Sequence, residues 1–178
     1  MIEIRIHSRG GQGGVTASKL IAQAAFLDNK YSAAFPLYGA ERRGAPVTSF
    51  TRISDSEIKI SSQIYNPDIV VVLDDSIMDL VNVTEGLKPG GLLVVNTSQQ
   101  DKLPCGQFKV ATVNVTDIAL ANGLLLSGNP ILNTPILGAL ASLGVIKLDN
   151  ALTAINETFS DDRNVKAAKE AYEKVVMC

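Results

Sequence analysis

The segment Arg9-Gly-Gly-Gln-Gly-Gly14 constrains the fold more than any other feature of this chain, because four of its six residues are glycine. Before it, Ile2, Ile4 and Ile6 alternate with charged or polar residues, a period of two that predicts a β-strand. After it, residues 15–27 are rich in Ala and Leu and contain few helix breakers, which predicts a helix. The sequence therefore opens with a strand, a glycine-rich turn and a helix. We call residues 9–14 the glycine loop.

Further along the chain, apolar runs and turn residues alternate in the way typical of α/β proteins. The continuous apolar runs 69–73 and 92–95 are expected of strands buried on both faces of a parallel sheet. Other strands are predicted at 31–35, 47–53, 57–61 and 109–115, and helices at 77–83, 117–126, 134–143, 148–159 and 164–177. The predicted fold is one α/β domain over residues 1–178, a three-layer α/β/α arrangement with a largely parallel, mixed central sheet and a helical C-terminal part.

The composition excludes several classes of function. Sixteen basic and eighteen acidic residues give a formal charge of -2, which argues against a nucleic-acid-binding domain. The two cysteines, Cys105 and Cys178, stand far apart in the sequence, and with one histidine they cannot build a four-ligand zinc or iron–sulfur site. Read as unpaired thiols, they favour a reducing cytoplasm. The first residues show no apolar signal-peptide core, and no apolar stretch is long enough to span a bilayer, so we expect a cytoplasmic protein without membrane contact.

The glycine loop has two interpretations. Backbone N–H groups at a helix N-terminus bind anions, and glycine lets a ligand approach the backbone closely; Arg9 adds a positive charge and Gln12 an amide donor. The dinucleotide-binding fingerprint is absent, because Thr16 stands where its third glycine would be and no acidic residue ends the second strand. The phosphate-binding loop motif is absent too. The loop is thus either a tight turn that packs a helix on a strand, or an anion or coenzyme site formed by Arg9, Gly10, Gly11, Gln12 and Gly13.

A second segment, Tyr38-Gly-Ala-Glu-Arg-Arg-Gly-Ala-Pro46, places two adjacent arginines between glycines. This pattern favours a loop, in which Arg42 and Arg43 would present guanidinium groups for bidentate binding of phosphate or carboxylate. The alternative is a solvated charge cluster or an ion pair with Glu41.

Other polar residues favour structural roles. Asp74 and Asp75 are typical of a helix N-terminus, His7 of a strand at a sheet edge, and Cys105 of an incidental loop cysteine. No acid–base pair or triad can be assembled from these residues, so we name no catalytic residue and no metal ligand.

The two glycine-flanked segments together carry a resemblance to a known family. Arg9-Gly-Gly-Gln-Gly-Gly-Val-Thr-Ala17, Ala34-Phe-Pro-Leu-Tyr-Gly-Ala-Glu-Arg-Arg-Gly-Ala-Pro-Val47 and Phe50-Thr-Arg-Ile53 resemble the gamma subunit of 2-oxoacid:ferredoxin oxidoreductases. The entry to the strand after Asn66-Pro-Asp68, the Lys88-Pro-Gly-Gly-Leu-Leu93 turn and Gly128-Asn-Pro-Ile-Leu-Asn-Thr-Pro135 are similar to later parts of that subunit.

The resemblance implies a subunit that is not catalytic alone. Such complexes oxidise a 2-oxoacid with thiamine diphosphate and Mg²⁺, transfer the acyl group to coenzyme A, and pass electrons through iron–sulfur clusters to ferredoxin. The implied partners are alpha, beta and delta subunits, of which beta and delta hold the clusters, and none of these cofactors is assigned to this chain alone. Pyruvate is the favoured substrate and 2-oxoisovalerate the next, with 2-oxoglutarate as a further alternative. Two other classes stay open: a free-standing nucleotide-binding protein and a scaffold module without ligand.

From the resemblance and the two loops we form one hypothesis about the site. The glycine loop and the loop with Arg42 and Arg43 are expected to face a subunit interface beside the active site. There they would hold coenzyme A phosphates or carboxylates of a neighbouring chain.

Overall fold

A seven-stranded mixed β-sheet forms the centre of the protein, as seen in a computed structural model that describes residues 1–37, 44–99 and 103–178. The strand order is β2-β3-β1-β4-β5-β6-β9. The strands of this sheet are β1 (Ile2–Arg9), β2 (Tyr31–Pro36), β3 (Pro46–Ser54), β4 (Ile69–Val72), β5 (Leu92–Asn96), β6 (Lys109–Val113) and β9 (Val176–Met177). A short separate hairpin joins β7 (Leu125–Leu126) to β8 (Asn129–Pro130).

The middle of the sheet is parallel and its edges are antiparallel. Strands β1, β4, β5 and β6 run parallel in this order, whereas β3 pairs antiparallel with β1, β2 with β3, and β9 with β6. The carboxyl ends of the four parallel strands therefore meet at one edge of the sheet, where ligands of open α/β sheets bind. The predicted α/β class, with a mixed sheet and C-terminal helices, is confirmed.

Five α-helices cover one face of the sheet in the part of the chain that the structure describes. They are α1 (Gly14–Leu27), α2 (Val115–Ala121), α3 (Pro135–Ser142), α4 (Leu148–Thr158) and α5 (Arg163–Glu173). Residues of all five helices share a buried cluster with one side of the strands, including Ile4 and Ile6 of β1 and Val71 of β4. Small residues let these helices approach closely: a Cβ on Gly138 of α3 would lie 1.7 Å from the carbonyl oxygen of Ala168 in α5.

The opposite face of β4, β5 and β6 carries a second, smaller apolar cluster. Val70 and Val72 of β4 alternate with the residues that face the helices, and they pack with Ile77 of a 3₁₀ segment, Asp75–Asp79. Because successive residues of a strand point to opposite faces, the continuous apolar runs of β4 and β5 are explained by burial on both sides.

Four predicted elements differ from the structure by more than two residues at an end or in their type. Residues 57–61 form no strand, because their alternating pattern has no neighbouring strand to pair with. The helix predicted at 77–83 is the 3₁₀ segment Asp75–Asp79, and the helix predicted at 117–126 ends at Ala121. The last helix ends at Glu173 instead of continuing to residue 177, and the chain then extends as β9. Each correction depends on a tertiary pairing that local sequence does not encode.

The cysteines and the histidine also differ from expectation. Cys105 and Cys178 form a disulfide across a sequence separation of 73 residues, so the reading of two unpaired thiols is wrong, and with it the argument for a reducing compartment that rested on them. Strand β9 brings Cys178 to β6, where the Cys178 N–H donates to the carbonyl of Val110. His7 lies on β1, between β3 and β4, and not at a sheet edge.

No helix among the described residues is long and apolar enough to cross a membrane.

Candidate functional site

The glycine loop connects the carboxyl end of β1 to the first turn of α1, and its glycines are required by their surroundings. Gly13 caps the helix with a left-handed backbone (φ +86°), a conformation that glycine adopts without a steric penalty. A Cβ at Gly13 would lie 2.9 Å from Nδ2 of Asn133, and one at Gly14 only 2.2 Å from Oγ of Ser8. The helix N-terminus thus sits directly against β1 and against residue 133.

Several backbone N–H groups of this turn have no hydrogen-bond partner within residues 1–37, 44–99 and 103–178. The Gly10 N–H donates to the carbonyl of Ala45, and the Gln12 N–H to that of Arg9. No such partner exists there for the N–H groups of Gly11 and of residues 13–16. Free donors in the first helical turn, together with the positive end of the helix dipole, are suited to an anionic ligand.

These donors open on a cleft of about 310 Å³. Its walls include the whole glycine loop and, from the other side, the hairpin and the segment after it, namely Leu126, Pro130, Ile131 and Asn133. Asn133 is 7% exposed, and its Oδ1 is buried without a hydrogen-bond partner. Because buried polar atoms are nearly always paired, the unpaired Oδ1 of a residue that borders the cleft is a candidate acceptor for a ligand.

Asn133 is a site residue that the sequence analysis did not select. The segment Gly128-Asn-Pro-Ile-Leu-Asn-Thr-Pro135 entered only as part of the family resemblance. In the sequence, Asn133 is a single amide between the apolar pair Ile131 and Leu132 and the helix that begins at Pro135. This local pattern does not predict that the amide lies against Gly13, more than one hundred residues earlier in the chain.

The side chains of Arg9 and Gln12 are held by the protein itself. The Gln12 Oε1 accepts from the Arg9 N–H at 2.7 Å, and the Gln12 Nε2 donates to Oδ2 of Asp74 at 2.7 Å. The Arg9 Nε lies 3.2 Å from the same Oδ2, and the Arg9 Nη2 donates to Oγ of Ser76 at 2.7 Å. Asp74 follows β4, so this network ties the carboxyl ends of the neighbouring strands β1 and β4 together.

The surroundings of Asp74 lower the pKa of its carboxyl. Partial burial alone would raise the pKa of its carboxyl, but hydrogen bonds from Ser76 and Gln12 and the charge of Arg9 outweigh this effect and lower the pKa below its usual value. Asp74 also accepts from the backbone N–H and the hydroxyl of Ser76, which makes it the N-cap of the 3₁₀ segment. The predicted capping role of Asp74 is confirmed.

Amide and hydroxyl side chains at the next strand ends hold this edge of the sheet in place. Asn96, the last residue of β5, donates from Nδ2 to the carbonyl of Leu73 and to Oγ1 of Thr116, both at 2.8 Å. Thr97 donates to Asp75 at 2.6 Å. These bonds tie the loops that follow β4 and β5 to each other and to the start of α2.

The structure brings together the predicted residues Arg9, Gly10, Gly11, Gln12 and Gly13, whereas Arg42 and Arg43 lie outside the described residues. In the described part of the chain no group of three or more His, Cys, Asp or Glu side chains is arranged to hold a metal ion. The cleft thus combines backbone N–H groups without an acceptor among the described residues with the buried amide of Asn133.

Comparison with known proteins gives consistent results along the whole chain. The sequence profile of the family described as "Pyruvate ferredoxin/flavodoxin oxidoreductase" matches residues 3–174. The "Pyruvate/ketoisovalerate oxidoreductases common subunit gamma" of Thermococcus litoralis is 53% identical over 186 residues, covering 99% of this chain and 98% of that protein. The "Pyruvate synthase subunit PorC" of Methanothermobacter marburgensis is 49% identical and covers 98% of both chains.

A solved structure agrees with these relatives. The crystal structure of pyruvate oxidoreductase subunit PORC from Thermotoga maritima superposes with a TM-score of 0.84 at 37% identity, covering 99% of this chain and 97% of that one. The family profile, the relatives and the solved structure each match nearly the full length of this chain. This chain belongs to the pyruvate ferredoxin/flavodoxin oxidoreductase family.

Proposed function

We propose that this chain is the gamma subunit of a multi-subunit 2-oxoacid:ferredoxin oxidoreductase and that its glycine-loop cleft holds coenzyme A. The relatives named as subunits of pyruvate or pyruvate/ketoisovalerate oxidoreductases support the first part. Pyruvate is the preferred substrate of the proposed complex, which converts it with coenzyme A to acetyl-coenzyme A and CO₂ while ferredoxin is reduced, and which can run in reverse as a pyruvate synthase. A 2-oxoisovalerate or 2-oxoglutarate enzyme is the alternative.

The coenzyme A assignment rests on one observation: the cleft offers several backbone N–H donors and one side-chain acceptor. The N–H groups of Gly11 and residues 13–16 suit phosphate oxygens, and the buried Oδ1 of Asn133 suits an N–H or O–H of the same ligand. An anion without a proton, such as sulfate, would leave that acceptor unpaired. Coenzyme A carries phosphates, hydroxyls and amide N–H groups in one molecule and therefore matches both.

The cysteine inventory supports a division of labour between subunits. This chain has two cysteines, and they are joined to each other. Because iron–sulfur clusters are bound by about four thiolates, this chain has too few cysteines to bind one by itself, and we assign the clusters of the proposed complex to its beta and delta subunits, as the family resemblance implies. Thiamine diphosphate with Mg²⁺ belongs to a site between the alpha and beta subunits. The role of this chain is then to bind and orient coenzyme A beside that site. Arg42 and Arg43 stay predicted phosphate ligands on the second loop.

Purification from the native host tests the subunit assignment. An affinity tag on this chain is expected to bring down three other polypeptides together with iron, acid-labile sulfide and thiamine diphosphate. The purified material should reduce ferredoxin with pyruvate only when coenzyme A is present. Recovery of this chain alone, or of a complex that turns over a 2-oxoacid without coenzyme A, would contradict the proposal. Tight binding of NAD or ATP by the lone chain would instead support the nucleotide-binding alternative.

A further inference from the structure

The carboxylate of Asp74 contacts Arg9 and Gln12, the two side chains that the sequence predicts to donate to an anion. We propose that Asp74 is a positioning residue that lowers the affinity of the cleft for anionic groups by holding Arg9 and Gln12 away from the ligand. The inference rests on the proposed binding of coenzyme A in this cleft. It adds Asp74, which follows strand β4, to the residues that set the affinity for the ligand.

The protein engages the guanidinium of Arg9 through three of its five N–H groups. Its Nε faces Oδ2 of Asp74 at 3.2 Å, its Nη2 donates to Ser76, and its Nη1 donates to the carbonyl of Gly44 at 3.0 Å. These three contacts fix the orientation of the side chain. A phosphate that binds side-on through Nε can do so only if Asp74 is displaced.

Gln12 is engaged in the same way. Its Oε1 accepts from the Arg9 N–H, and its Nε2 donates to Asp74, so both ends of the amide are held by the protein. The backbone N–H groups of Gly11 and residues 13–16 have no acceptor among the described residues and stay available to a ligand. Asp74 is the shared partner of both side chains, and its Oδ2 is the atom on which they converge.

The charge of Asp74 acts in the same direction as its hydrogen bonds. Its side chain is 21% exposed and that of Arg9 is 26% exposed, so both charges are incompletely screened by water. The carboxylate cancels the positive field of Arg9 at the helix N-terminus and repels a nearby phosphate. Replacing it with a neutral amide of equal size should free Arg9 and remove the repulsion together.

The test uses the assembled oxidoreductase with Asp74→Asn in this chain and Asp75→Asn as a matched control. Both substitutions remove one negative charge at adjacent positions. Asp75, however, is exposed and accepts from Thr97 at 2.6 Å, and no contact of the described residues joins it to Arg9 or Gln12. The KM for coenzyme A, the KM for the 2-oxoacid and kcat are measured for the wild type and both variants.

Asp74→Asn is expected to lower the KM for coenzyme A by about fivefold, the size of one partly exposed ion pair, while the KM for the 2-oxoacid stays unchanged. Asp75→Asn should leave both KM values close to the wild type. Adding Arg9→Gln to Asp74→Asn should abolish the gain, because the freed guanidinium would be its source. Should Asp74→Asn fail to assemble, Asp74→Ser keeps a short acceptor for the Ser76 N–H and carries the same expectation.

Two results overturn the inference while leaving the proposed function standing: an unchanged or higher KM for coenzyme A in Asp74→Asn, or an equal gain in Asp75→Asn. In the second case only net charge would matter. Hydrogen exchange on the same assemblies tells this failure from failure of the proposed function. If coenzyme A protects no residue of the glycine loop in any variant, both the site assignment and the inference fall.

Discussion

At the scale of single residues, the lone histidine shows how the sheet controls a titrating group. His7 lies on the interior strand β1, where its Nε2 accepts a hydrogen bond from Nε of Arg5 at 3.1 Å. Burial, and secondarily the positive charge of Arg5, lower the pKa of His7 from 6.5 to about 4. The folded protein therefore keeps this imidazole neutral, as the hydrogen bond from Arg5 requires.

This depressed pKa predicts a pH-dependent stability. As the pH falls below about 6.5, the unfolded chain takes up a proton on His7 that the folded protein refuses until about pH 4, so the free energy of unfolding decreases. Between about pH 7 and about pH 5 the loss attributable to His7 is about 2 kcal/mol. Urea unfolding at both pH values should show this loss in the wild type and a much smaller one in His7→Gln, whose amide oxygen can accept from Arg5.

The two proteins share all other titrating groups, so the difference between their pH slopes isolates His7. Equal slopes would show that His7 titrates normally in the folded state. The position of this histidine in a strand was predictable from the alternation at residues 2–7. Its neutral state was not, because it follows from the neighbouring strands and from Arg5.

Residue-level prediction succeeded where local geometry decides the residue type and failed where distant contacts do. The glycine loop was predictable because glycine there serves the backbone directly, as the φ of +86° at Gly13 shows. Gln12 was expected to donate to a ligand, but Asp74, more than sixty residues later, takes that donor. Asn133 could not be selected from the sequence, because its buried, unpaired oxygen is a property of the folded chain alone.

At the scale of elements, apolar runs identified the parallel strands well. Residues 69–73 and 92–95 are apolar throughout because both faces of β4 and β5 are covered, and this pattern survives in any α/β protein. Edge elements were less predictable. Strand β9 has only two residues. The charged, amphipathic pattern of α5 predicts a longer helix, but the helix ends at Glu173 and the chain then pairs with β6.

The disulfide gives β9 a measurable role. It joins the last residue of the chain to Cys105 and closes a loop with a sequence separation of 73 residues. Closing a loop of this length restricts the unfolded chain and adds about 2–4 kcal/mol to the free energy of unfolding. Cys105→Ser/Cys178→Ser should therefore unfold at lower urea concentration than the wild type by that margin.

Reduction supplies the control for this comparison. Dithiothreitol is expected to lower the stability of the wild type to that of the double variant and to leave the double variant unchanged. If the oxidised wild type and the double variant unfold at the same urea concentration, the disulfide does not contribute to the stability of the fold.

At the scale of the whole molecule, the residues of the proposed site lie together at one edge of the sheet. The cleft, the Asp74 network and the hairpin β7–β8 lie together there. Leu126 of this hairpin borders the cleft and is 67% exposed, and Leu125 is 49% exposed. A neighbouring subunit that covered these side chains would close the cleft over its ligand, in keeping with the proposed role as one subunit of an oxidoreductase.

Hydrogen–deuterium exchange on the assembled oxidoreductase, with and without saturating coenzyme A, tests the central claim most directly. Coenzyme A is expected to slow exchange in peptides that contain Gly11 and residues 13–16, because their N–H groups would donate to it, and in the peptide around Asn133. The exposed segment 55–63, remote from the sheet edge that forms the cleft, should exchange at the same rate in both states and serves as the internal reference. Unchanged exchange throughout the glycine loop at saturating coenzyme A would contradict the assignment of this cleft.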